Sequence, residues 1–121
     1  MSAKEIISKF YTLDFVKDAN VMSYFHDDFE MTWNSSKGTL HYNLEDVKNL
    51  FSELKRNFHS YQAQIHQLHE ESNFVTVRFT VYVTAIERPE KEDALANFIS
   101  IVEVKDSKVY KINQISQLAD H

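Results

Sequence analysis

Imidazole exchanges protons near neutral pH more readily than any other side chain, and this chain carries six histidines and no cysteine. Thiolate chemistry and disulfides are therefore absent, and acid/base work falls to histidine, carboxylate or tyrosine. Two histidines are candidates for a general base, His41 and His66. His66 and His69 form an H-x-x-H pair, but residues three apart on a strand point to opposite faces, which makes them poor joint metal ligands. His66 alone can face the interior on the side shared with Gln62, Gln64 and Leu68, in competition with the more apolar set Tyr61, Ala63 and Ile65. The run His26-Asp27-Asp28 gathers three metal-ligating side chains, yet adjacent side chains at a helix end seldom converge on one ion. His26, His59 and His121 are expected to be exposed or terminal.

The elements that must position these groups are readable from period and caps. Ser2-Ala3-Lys4-Glu5 is a capping box, followed by Ile6, Phe10 and Leu13 with Ile7, Tyr11 and Phe15 beside them, an apolar stripe on a helix of about four turns. Asp18 or Asn20 can cap a second, shorter helix burying Val21, Met22 and Phe25. Asn43, with Glu45 and Asp46 behind it, starts a third helix at its positive end. Its stripe is Val47, Leu50, Phe51, Leu54 and Phe58. The period then changes to 2: from Val75 to Val83 the odd positions are apolar and the even ones are Thr76, Arg78, Thr80 and Tyr82, a strand with one buried face. Segments 61–70, 94–105 and 109–117 read as further strands, and 87–92 as a loop between hairpins. Helices followed by meandering strands predict an α+β domain with helices against one face of a curved sheet.

The totals narrow the function classes. A chain of 121 residues, 43% apolar and 13% aromatic, suits one packed domain, residues 1–121. Eighteen acidic against thirteen basic residues give a net charge of −5, and the lysines are scattered among acids, so nucleic acid is not an expected partner. One glycine and one proline exclude glycine-rich phosphate loops. No basic-then-apolar leader and no run of bilayer length are present, so a cytoplasmic location is expected, without a membrane partner.

This order of elements, with the phrasing of Lys9-Phe10-Tyr11, Tyr24-Phe25-His26-Asp27-Asp28-Phe29, the Trp33 strand, Leu44 to Phe58, Asn73 to Arg78 and Lys108-Val109-Tyr110, resembles the nuclear transport factor 2-like superfamily and its SnoaL-like branch. The resemblance covers nearly the whole chain. It implies a cone-shaped, cystatin-like α+β fold: three N-terminal helices on a strongly curved, mainly antiparallel sheet, closing around a pocket. It also implies that Asp27 and Asp28 cap free amides at a turn. Many members pair as homodimers through the sheet, and the outer-face set Arg78, Thr80 and Tyr82 suits such an interface. Because one fold hosts isomerases, dehydratases, epoxide hydrolases, cyclases and binding proteins, the site has to decide.

Carried over residue by residue, the family's machinery looks depleted. Ketosteroid isomerases use a carboxylate base with a tyrosine and a protonated acid as oxyanion donors. The corresponding positions hold Trp33, Phe10 (with Tyr11 adjacent) and Ser100. The Asp-Arg-Asp relay of limonene epoxide hydrolases meets Arg78, Thr80 and Gln114, and an amide cannot accept the proton. The remaining pocket is aromatic: Phe10, Tyr11, Trp33, Phe51, Phe58, Phe79 and Val81 as walls, with Asn34, Ser100 and Gln114 as polar anchors, the composition of many ligand sites. The sequence thus reads as a domain binding a small apolar or aromatic molecule, without the catalytic carboxylates of its superfamily, and with no cofactor or metal. The alternative is a SnoaL-like isomerase, cyclase or hydrolase with His41, near the expected pocket opening, or His66 as general base.

Overall fold

The computed structural model describes residues 1–119, and His121 lies outside them. Helix α1 spans Ala3–Phe10 and starts with the full capping box, Ser2 Oγ accepting from the Glu5 amide and Glu5 accepting from the Ser2 amide. A single 3-10 turn, Val21–Tyr24, leads into β1, Phe25–Ser35. Strand β2, Gly38–Asn43, is followed at once by α2, Leu44–Asn57, and then by β3, Phe58–Glu71; β4, Phe74–Ala85; β5, Arg88–Lys105; and β6, Lys108–Leu118. Asn43 and Asp46 close a second reciprocal cap at the start of α2. Gly38 sits at φ +104° where β2 leaves the β1–β2 turn, a conformation that side-chain-bearing residues rarely adopt.

The six strands form one sheet in the order β2-β1-β6-β5-β4-β3. Neighbours are antiparallel except β1 and β6, which run parallel with Met31 opposite Ile112 and Trp33 opposite Gln114. The expectation of three N-terminal helices on a strongly curved, mainly antiparallel sheet is thereby corrected to a mixed sheet with two α-helices, one of them placed after the first hairpin. The reason lies in segment lengths. Val21–Tyr24 has four residues before β1 begins pairing with β6 at Phe25, too few to offset the cost of nucleating an α-helix, and a 3-10 turn is the usual short solution. The run 87–92 is also mostly strand, because β4 and β5 turn tightly at Ile86-Glu87 and Ala85 pairs with Arg88.

Both helices cover one face. Against them lie Val75, Val77, Val102 and Val109, all fully buried, with Ile7, Phe10, Phe29 and Val47 packed on top. Burying a large apolar side chain contributes about 1.5–3 kcal/mol, so this face holds most of the stabilisation. The other face exposes Phe74, Ile99, Ile101 and Ile115. Between α1 and the 3-10 turn the chain is organised by the buried carboxylate of Asp14. Its Oδ1 accepts from the amides of Val16, Lys17 and Tyr61 at 3.0, 3.1 and 3.2 Å, which clips the loop to the edge of β3. No helix among the described residues is long and apolar enough to cross a membrane.

Candidate functional site

Between α1, α2 and the covered face of the sheet lies a cavity of about 70 Å³, lined almost wholly by aromatic and aliphatic side chains. Alternation along each strand sets its walls: Phe29, Met31 and Trp33 from β1, Phe79 and Val81 from β4, Phe98 from β5, Ile112 and Gln114 from β6. Helix α1 and the loop after it add Phe10, Tyr11 and Phe15, and α2 adds Val47, Leu50, Phe51 and Leu54. The rings lock one another: Phe79 and Phe98 stack with centroids 5.0 Å apart, and Tyr11 lies 4.7 Å from Phe79. Of the residues expected at the site, Phe10, Tyr11, Trp33, Phe51, Phe79, Val81 and Gln114 line this space. Ser100 sits behind the wall, fully buried, and donates to Gln114 Oε1 at 3.0 Å. Asn34 is exposed and accepts from Thr39, and Phe58 packs on Tyr61 away from the lining.

The polar groups in the cavity are few, and each carries a hydrogen-bond donor. Trp33 Nε1 is already satisfied, donating to Ser116 Oγ at 2.8 Å. Gln114 uses its carbonyl on Ser100, which leaves its NH₂ to donate to a bound group. Tyr11 is 3% exposed; burial holds its phenol well above the ordinary tyrosine range, and a hydrogen bond with Ser100 opposes this in part. Tyr61, from β3, also lines the cavity, and its phenol is likewise raised, first by burial and then by the neighbouring Tyr11. Both phenols therefore stay protonated at neutral pH, and each keeps an O–H able to donate to an oxygen. Sequence reasoning missed Tyr61, although Tyr61, Ala63 and Ile65 were legible as one side of β3. The ladder partners Val83, Val81 and Phe79 now fix that side as the interior.

The histidines are placed as follows. His66 follows inward Ile65 and so lies on the outer face with Gln62 and Gln64, and a bulge between Ile65 and Gln67 makes it the extra residue of β3, which brings His69 to the same face and undoes the alternation expected of the H-x-x-H pair. There His66 Nε2 meets Thr80 Oγ1 at 2.8 Å, and the Thr80 hydroxyl donates to Asn97 Oδ1 at 2.6 Å, so the ring nitrogen supplies the proton of the first bond. His41 is the ladder partner of Thr32 on the edge strand β2, bonded to it at a loose 3.4 Å on the face away from Trp33. It also rims a polar groove with Tyr42, Asp46, Asn49, Leu50 and Glu53, and Leu50 is shared with the cavity. Burial, then Glu53 and Asp46, raises the Tyr42 phenol. His26 accepts the Asp28 amide on Nδ1 at 3.0 Å and pairs through Nε2 with Asp106 at 3.1 Å. The imidazole, and not the aspartates, thus satisfies the free amide at this point, because its ring reaches the backbone two residues on.

These findings correct the expectation of a pocket domain without proton-transfer groups. The structure holds a His–Asp pair, two further hydrogen-bonded imidazoles, and two protonated phenols within the cavity. That inventory suits an acid/base enzyme better than an inert binder.

Comparison with known proteins agrees on the fold. A family model described as SnoaL-like domain matches residues 13–112. A search of the curated proteins finds no match. Among solved structures, IdmH of Streptomyces antibioticus, described as a candidate polyketide cyclase, superposes with a TM-score of 0.74 at 13% identity, covering 96% of this chain and 92% of its own. The phenazine biosynthesis-related protein PhzB2 of Pseudomonas aeruginosa gives 0.72 at 11% identity, with 94% and 74% covered. TerC, co-crystallised with polyporic acid, gives 0.63 at 18% identity, with 93% and 89% covered.

Proposed function

The chain belongs to the SnoaL-like domain family, and from that premise we propose that it is an enzyme that cyclises or isomerises a small, largely apolar carbonyl compound. The observation that carries the reading is the pair of phenols, buried Tyr11 and half-buried Tyr61, on the wall of an otherwise apolar cavity. Removing a proton next to a carbonyl puts negative charge on its oxygen, and fixed donors in a dry site stabilise that charge more than they stabilise the neutral ketone. The Gln114 amide is a third donor. The walls hold the apolar part, with Phe10, Trp33, Phe51, Phe79 and Val81 as ligand contacts and Ser100 orienting Gln114.

Among the described residues the lining carries no carboxylate, so the base in this proposal is an imidazole. His41 is favoured over His66, because it rims the groove adjoining the cavity and is held only by the long bond to Thr32; turned away from Trp33, it acts on the part of the substrate that lies in the groove and not from within the cavity. Relatives such as IdmH, a candidate polyketide cyclase, support the reaction class. The working form is proposed to be a cytoplasmic homodimer joined through the outer face, with Ile99 and Ile115 as ladder neighbours at its centre and Arg78, Thr80 and Tyr82 alongside.

Hydrogen–deuterium exchange at the α-carbon of 2-indanone in D₂O, followed by proton NMR, tests the proposal without knowledge of the natural substrate. The wild type should accelerate exchange over buffer. Tyr11→Phe should lower the rate by about 10²-fold, the usual effect of one oxyanion donor. His41→Asn should abolish the acceleration, and His66→Asn should leave it unchanged. No acceleration by the wild type, or wild-type rates in the Tyr11 and His41 variants, refutes the proposal.

A further inference from the structure

We infer that Leu50 is the partition that sets the length of molecule this site accepts, and that the substrate is an elongated compound with an apolar ring in the cavity and a hydrogen-bond-donating group in the adjoining groove. The inference rests on the cavity being the substrate site. Among the described residues, Leu50 is the one that lines both the cavity of about 70 Å³ and the groove of about 230 Å³. On α2 the positions Asp46, Asn49, Leu50 and Glu53 follow at helical spacing along one face. The stripe Val47, Leu50, Phe51 and Leu54 faces the cavity. Leu50 is where the two faces meet. A second contact ties the compartments together: Tyr42, in the groove, packs 6.0 Å from Trp33, a cavity wall.

Size makes the partition consequential. An apolar cavity of about 150 Å³ is what accommodates benzene, so the inner space as it stands admits only part of a ring. Joined with the groove it reaches the low end of the range for ligand sites, roughly 300 Å³. The groove offers Asp46 and Glu53, whose carboxylates only accept hydrogen bonds, together with Tyr42 and Asn49. A hydroxyl or amine on the ligand is the complementary group.

Binding of 2-naphthol (two rings and one hydroxyl) and benzyl alcohol (one ring), followed by fluorescence and NMR titration, tests this on the intact protein. Leu50→Ala should bind 2-naphthol about tenfold more tightly than the wild type, and Leu50→Phe should weaken it by a similar factor. Leu54→Ala enlarges the cavity without opening it to the groove and should change 2-naphthol binding less than about threefold. Benzyl alcohol should discriminate little among the variants. Equal gains in the Leu50→Ala and Leu54→Ala proteins, or no gain at Leu50, overturn the inference. Near-UV circular dichroism confirms folding, and Leu50→Val replaces Leu50→Ala if the latter fails it. The readout is independent of turnover. Loss of ketone exchange with the binding pattern intact would remove the enzymatic proposal alone, and exchange with a flat binding pattern would remove the partition alone.

Discussion

Raising the pH is the perturbation that most directly interrogates the two cavity phenols. Burial lifts Tyr11 and Tyr61 above the ordinary value of 10.0, so between that value and their folded values the native protein retains protons that the unfolded chain has released. Stability is then fully present below about pH 10 and falls as pH rises above it, at about 1.4 kcal/mol per pH unit for each group. Both together remove about 5 kcal/mol by pH 12, comparable with the whole stability of a small domain. Urea denaturation at stepped pH should therefore show a loss that begins near pH 10, and tyrosinate absorbance at 295 nm should show the last phenols ionising only with the loss of near-UV circular dichroism. The Tyr11→Phe/Tyr61→Phe protein should lose most of this alkaline dependence. If all six tyrosines ionise while the protein stays folded, the phenols are not shielded, and the case for protonated donors in the cavity fails.

Two further outcomes concern the scaffold. Asp14→Ala strands the amides of Val16, Lys17 and Tyr61 and should cost about 2–3 kcal/mol in urea denaturation, whereas Asp14→Asn, which keeps an acceptor, should lose less than half of that. Ile99→Arg places a charge at the centre of the proposed interface and should move the protein from dimer to monomer in size-exclusion chromatography with light scattering. An unchanged mass argues that the outer face is not the contact.

What could be read in the sequence was local and periodic. The Ser2–Glu5 box and the Asn43 start of α2 were legible because the interacting side chains lie within one turn. The buried set of β4 was legible because every second residue is apolar over nine positions. The bulge at His66 was not, since one extra residue in a ladder leaves no side-chain signature, and it reversed the residues after it, sending Leu68 inward and His69 outward. The parallel pairing of β1 with β6 joins segments at opposite ends of the chain, and no local pattern encodes it. Tyr61 was weighed among the apolar competitors of His66 and so was passed over as a donor. Asp14 falls within the span expected for the first helix and drew no separate reading, although Asp followed by a short loop is a common signature of side-chain-to-backbone bonding.

The placement of β6 between β1 and β5 bears on how the protein comes to be made. Until β6 has left the ribosome, the β1–β2 hairpin and the β3–β4–β5 meander are separate sheets, each with an open hydrogen-bonding edge and a half-covered apolar face. Closure waits for β6 and requires contacts between segments far apart in sequence, an arrangement associated with slow folding. Loss of β6 would therefore not trim the sheet but divide it, leaving two sticky fragments where protein quality control can act.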